Sequence, residues 1–153
     1  MGKEIFTGYF SMGTKEAVQL PPLVLAYIGD AVYELLIRLY VLENKKRHVE
    51  FLHRETVKLV KAKTQAEALE LLKPFLDKRE FSIIRRARNT KIDNYPKGME
   101  LKDYRNATAL EALVGYLYLT GNSKRLFELL DLIEFEKGEV QNTSVKGEEN
   151  YGG

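Results

Sequence analysis

The apolar run LVLAYIGDAVYELLIRLYVL, Leu23 to Leu42, constrains this chain more than any other stretch. A segment this long and this greasy either spans a membrane or forms a helix buried on most of its sides. Asp30, Glu34 and Arg38 fall inside it, and three charges at those depths exclude a membrane span. The run is therefore expected to be a central helix of a soluble protein. The N-terminus MGKEIFTGYF lacks the long apolar stretch of a signal peptide, and the chain has no cysteine, so disulfides and thiolate metal sites are ruled out. A reducing, cytoplasmic setting with no membrane partner is the expectation. The net charge of +2 does not by itself indicate nucleic acid; that depends on where the charges lie.

The 153 residues, 44% of them hydrophobic, suit one domain with a substantial core. Periodicity is helical nearly throughout, and the expected class is all-α with about seven helices. Thr14 is placed to cap a short first helix, which Pro21 and Pro22 end; Pro22 can open the second, reaching about Asn44. A third covers about Val49 to Ala62. Thr64 with Glu67, and Asp77 with Glu80, have the spacing of capping boxes, so helices are expected to start at each. NTKIDNYPKGMELKD reads as a long loop, of the kind that is more often functional than idle. Asp103 can cap the next helix, Gly121 and Asn122 stop it near Leu119, and Ser123 to Glu136 form the last. The domain is thus expected over residues 1–136, with residues 137–153 a polar, mobile tail.

Asp30 has a counterpart. Ala107 to Leu119, ATALEALVGYLYL, is also apolar and holds one acid, Glu111. Small residues surround both: Gly29 and Ala31 in one segment, Ala107, Ala109, Ala112 and Gly115 in the other. Small side chains let helix axes approach, which would bring the two acids together. Two ionised carboxylates in a partly dry site need a cation, or one must take a proton. Both are hard oxygen ligands suited to magnesium, which keeps several waters and takes only one or two protein carboxylates. Such an ion activates water and offsets charge on a phosphodiester as it is cut. The alternative, from the residues alone, is that each acid pairs with a buried arginine such as Arg38, Arg54 or Arg105. His48 and His53 are not at ligand spacing, so zinc is not expected. Tyr33, Tyr40, Tyr116 and Tyr118 fall on spacings of core or dimer contacts.

YIGDAV, Tyr27 to Val32, resembles the signature helix of the ribonuclease III catalytic domain, and ALEALVGYLYL, Ala109 to Leu119, resembles that domain's second acidic motif. KAKTQAEAL, RRARNTK and YRNATALEAL further resemble the short bacterial members called Mini-III ribonucleases, which lack the double-stranded-RNA-binding domain. The resemblance covers most of Leu20 to Glu136. It implies a helical homodimer with a catalytic valley across its interface, cutting both strands of duplex RNA with magnesium and leaving 5′ phosphates. It places the catalytic and metal-binding roles on Asp30 and Glu111. It implies precursor large-subunit (23S) ribosomal RNA as substrate, with ribosomal proteins as further partners. Full-size members carry more acids, where this chain has Leu23, Ala26 and Thr108, which makes one magnesium easier to justify than two.

A duplex cutter without a separate binding domain must hold phosphates itself. Arg85, Arg86, Arg88, Lys91 and Lys97 supply charge, as does Arg105; Lys61 and Lys63 precede a helix start whose free amides favour anions. Asn89, with Asn94, can reach 2′-hydroxyls in the minor groove of A-form RNA. Three rival readings are a dimeric helical protein with no nucleic-acid role, which would leave Asp30 and Glu111 unexplained; a catalytically idle RNA-binding scaffold of the same fold, which would be expected to lose one acid; and an all-α nucleotide pyrophosphohydrolase. The last would use Glu67 with Glu70 and Glu128 with Asp131, but those acids alternate with leucines as in ordinary amphipathic helices.

Overall fold

The structure is a computed structural model, described here for residues 11–44 and 48–133. Among the described residues the regular structure is seven α-helices and one 3-10 turn, with no strand. They are α1 (Thr14–Gln19), α2 (Pro22–Asn44), α3 (Val49–Val60), α4 (Ala62–Leu72), the 3-10 turn (Lys73–Phe75), α5 (Lys78–Arg88), α6 (Leu101–Leu119) and α7, helical over residues 123–133. The expected all-α class is what is found. The polar tail expected over 137–153, and Lys45 to Arg47, lie outside the described residues.

α6 is the axle. Twelve of its residues are buried, and α2, α4 and α5 pack around it. Its end carries the stop expected at Gly121: φ is +72° there, Gly121 N–H donates to the Tyr118 carbonyl (3.0 Å), and Asn122 N–H donates to that of Leu117 (2.8 Å). The core also takes Tyr33, Leu25, Leu69, Leu72, Ile83 and Leu110.

Capping expectations divide. The Asp77–Glu80 box is complete: Glu80 N–H donates to Asp77 Oδ1 (2.8 Å) and Asp77 N–H to Glu80 Oε1 (2.9 Å). Glu80 is buried because Arg125 of α7 grips it through Nε and Nη2, each at 2.9 Å, while Nη2 also reaches the Phe75 carbonyl. The Thr64 cap is not found. α4 starts two residues earlier at Ala62, and the Thr64 hydroxyl donates instead to the Lys58 carbonyl at 2.8 Å, clasping α4 to α3. Thr14 is already the first residue of α1, and α6 begins before Asp103, which sits in its first turn and complements the helix dipole.

Candidate active site

α2 and α6 cross at their glycines. A Cβ built on Gly29 would lie 1.6 Å from the Glu111 carbonyl oxygen, and one on Gly115 would lie 2.0 Å from that of Leu25. The two backbones therefore touch, which only glycine at both positions allows. Asp30 follows Gly29 directly, and Glu111 lies one turn before Gly115. The crossing thus sets the two acids against each other, and their charges are coupled.

Burial and repulsion mark this pair. Glu111 is pushed up to about 7, first by desolvation, then by the Asp30 charge, with a hydrogen bond from Gln65 working the other way. Asp30 also lies above the usual carboxylate range, through partial burial and the nearby Glu34. Neither acid is ion-paired with an arginine among the described residues. Arg38 instead holds Glu34 at 3.0 Å, which removes the buried-arginine alternative.

No set of three metal-ligating side chains occurs among the described residues. What exists is a two-carboxylate site with one exposed member, Asp30, and one largely enclosed member, Glu111. That donor set fits magnesium: hard oxygens, too few to fill its shell, open to water and a phosphate oxygen, and carrying repulsion a divalent cation would offset. His48 and His53 are both exposed and distant in the chain from the pair.

Gln65 is the residue beside the acid pair that the sequence did not disclose. It lies in the first turn of α4, is only 3% exposed, and donates to the Glu111 carboxylate. A buried glutamine among the alanines and leucines of α4 was the available signal. Its position also brings the start of α4, with exposed Lys61 and Lys63, to the acid pair.

The other basic residues separate. Arg85, Arg88, Asn89 and Arg105 line one cleft between α5 and α6, joined there by Lys73 and Lys102, which had not been anticipated. Arg86 is not with them: it faces α1, donating to the carbonyls of Val18 (2.6 Å) and Leu20 (3.4 Å), so its guanidinium is engaged in closing that helix end. Lys91 and Lys97 are exposed on the loop between α5 and α6, where Lys91 pairs loosely with Asp93 at 3.5 Å.

This helical fold and paired-acid site have a family. The family model for the Ribonuclease III domain matches residues 23–122, and the chain belongs to that family of endoribonucleases. Its relatives within it are the short members. Mini-ribonuclease 3 of Thermoanaerobacter sp. (strain X514) is 53% identical over 120 residues, covering 78% of this chain and 84% of that protein. Mini-ribonuclease 3 of Thermosynechococcus vestitus is 45% identical over 136 residues, 88% of each. A crystal structure of a Fusobacterium nucleatum protein superposes with a TM-score of 0.69 at 30% identity, over 75% of this chain and 93% of that one.

Proposed function

We propose that this endoribonuclease cuts double-stranded RNA with magnesium held by Asp30 and Glu111, leaving 5′ phosphates. The observation that carries this is the glycine crossing, which holds two repelling carboxylates together with no arginine among the described residues to neutralise them. Magnesium, when bound, would activate water and offset charge on the cut phosphodiester. Glu111 must be ionised to hold it, and the Gln65 donor favours that form. Exposed Asp30 faces solvent, where substrate arrives. Lys61 and Lys63 at the start of α4, with Lys91 and Lys97 on the loop, supply phosphate contacts; Arg85, Arg88, Asn89 and Arg105 extend them.

The working unit is a homodimer built on α2. Leu23, Val24, Tyr27, Leu35, Leu39 and Leu42 are all exposed, and on a helix turning about 100° per residue they share one flank about 160° wide. Tyr27 is 78% exposed, although α2 is apolar on its opposite side too. That flank also carries the exposed Glu34–Arg38 pair, but six exposed large apolar side chains along one helix still call for a second partner, and a two-fold copy supplies one. Asp30 sits at the rim of this flank, so each subunit's acids border the interface.

The natural substrate is proposed to be precursor 23S ribosomal RNA, met in the cytoplasm with ribosomal proteins bound. No helix of the described residues is long and apolar enough to cross a membrane. Duplex RNA, duplex DNA and single-stranded RNA are incubated with the protein, with and without magnesium. Only duplex RNA with magnesium is expected to be cut, and Asp30→Asn and Glu111→Gln are expected to be inert while still binding it. Normal cleavage by either variant would end the reading. Sedimentation of Leu35→Glu is expected to show monomers; an unchanged dimer would remove α2 from the interface.

A further inference from the structure

A third carboxylate stands beside the acid pair, and cleavage as read above makes no use of it. Glu34 lies one turn after Asp30 on α2, and residues four apart on a helix hold their Cβ atoms about 5–6 Å from each other. It is rotated about 40° around α2 from Asp30, toward the exposed flank. Its charge acts on Asp30, whereas Glu111 feels Asp30 and not Glu34. The three acids therefore come in order, from enclosed Glu111 through Asp30 to Glu34 at the open side.

Like charges at this spacing weaken a helix, so an acid at position 34 is a cost to α2. Arg38, one turn further on, offsets it only in part. It meets Glu34 through a single contact, Nη2 to Oε1 at 3.0 Å, and the two side chains are 59% and 43% exposed. A solvated pair of this kind is weak. Oε2 of Glu34 has no partner among the described residues and remains able to accept a hydrogen bond.

Glu34 is not a direct ligand, since no three acids among the described residues are grouped to hold one ion. Its place is one layer out. Magnesium on two carboxylates keeps several waters, and those waters are hydrogen-bond donors. The acceptor nearest the exposed ligand, Asp30, is Glu34. The charges also match: three ionised carboxylates and the Arg38 guanidinium leave two negative charges, the counterpart of a divalent cation.

We infer that Glu34 is a positioning residue for the divalent ion: it accepts a hydrogen bond from a water of the ion's shell, and Arg38 competes with that water for the carboxylate. The inference rests on the reading of Asp30 and Glu111 as the metal ligands and adds a residue that reading does not contain.

The test titrates manganese(II), which takes the same oxygen ligands as magnesium, into the full chain, with the free ion read by electron paramagnetic resonance. Glu34→Gln is expected to weaken binding about tenfold or more, the usual cost of losing a partner behind a metal site. Arg38→Gln should instead tighten it about twofold, because the competing cation is gone. Both substitutions break the same ion pair, so a merely structural role would move the two affinities the same way. Glu43→Gln removes an exposed acid about 20 Å along α2 from Asp30 and should leave the affinity unchanged. Water-proton relaxation should count the same number of waters on the bound ion in Glu34→Gln as in wild type. Asp30→Asn separates the two readings. If it binds manganese like wild type, the ligand assignment fails. If it loses the metal while Glu34→Gln keeps wild-type affinity, the Glu34 assignment alone fails. Weaker binding in both Glu34→Gln and Arg38→Gln, an equal loss in Glu43→Gln, or an extra water on the ion in Glu34→Gln would also overturn it.

Discussion

Glu111→Gln should make the metal-free protein more stable while destroying its activity, and the gain should depend on pH. In the fold the carboxyl ionises at about 7, against an ordinary value of 4.5. The folded state therefore holds the proton more tightly than the unfolded chain. Stability is highest below about pH 4.5 and declines as pH climbs through about 7, where the folded group at last ionises in a desolvated site beside Asp30. The gap corresponds to about 3 kcal/mol at about 1.4 kcal/mol per pH unit. Glutamine has the same shape, can still meet Gln65, and has no proton to lose. The variant should thus exceed wild type by about 3 kcal/mol at pH 8.5, or about 6–12 °C in Tm for a chain this size. At pH 4.5 the difference should shrink below about 0.5 kcal/mol, because both side chains are then neutral in the fold. Magnesium at pH 8.5 should narrow the gap by stabilising wild type alone. Calorimetry at the two pH values, with metal chelated, measures this. A variant less stable at pH 8.5, or a gain equal at both pH values, would show that Glu111 is not a strained acid.

Other perturbations have clear directions. Gly29→Ala places a methyl carbon 1.6 Å from the Glu111 carbonyl, forcing α2 and α6 apart; a loss of about 3 kcal/mol or more is expected by urea unfolding. Gln65→Leu removes the donor that favours ionised Glu111, so the acidic limb of the kcat/KM profile should move to higher pH, whereas a merely structural defect would lower activity at every pH. Replacing Arg85, Arg88 and Arg105 together should flatten the salt dependence of duplex binding by about two to three units of slope, and replacing Arg86 should instead lower Tm through the lost ties to Val18 and Leu20.

Much of this was legible in the chain. Helix periods showed seven helices because each has an apolar face serving one core, and glycines beside acids showed where two helices meet because contact at that distance admits no side chain. What stayed hidden depends on tertiary direction. Thr64 had a cap's spacing, but the chain turns straight from α3 into α4, and its hydroxyl found the Lys58 carbonyl first. Arg86 lies among Arg85 and Arg88 in sequence, but successive helix positions point apart by about 100°, which sent it to α1. Lys73 and Lys102, separated from Arg85 and Arg88 along the chain, join them only through packing on α6. Gln65 carried no charge to draw notice, and its role follows only from burial against Glu111.

The crossing of α2 and α6 links stability to chemistry through one pair of glycines. Wider spacing, with alanines, would relieve the repulsion between Asp30 and Glu111 and let water in to solvate each. It would also move apart the two carboxylates that one small cation would have to bridge. At contact distance the fold carries an uncompensated charge pair, and the apolar packing of α6 must offset it. This is why the same residues, Gly29 and Gly115, should prove intolerant of substitution for two distinguishable reasons. An alanine that the protein survives, through a shift of the helices, should still lose metal affinity far more than it loses Tm. Isothermal titration of magnesium into a folded Gly115→Ala protein measures this directly; wild-type affinity with a lowered Tm would mean that the glycines serve packing alone.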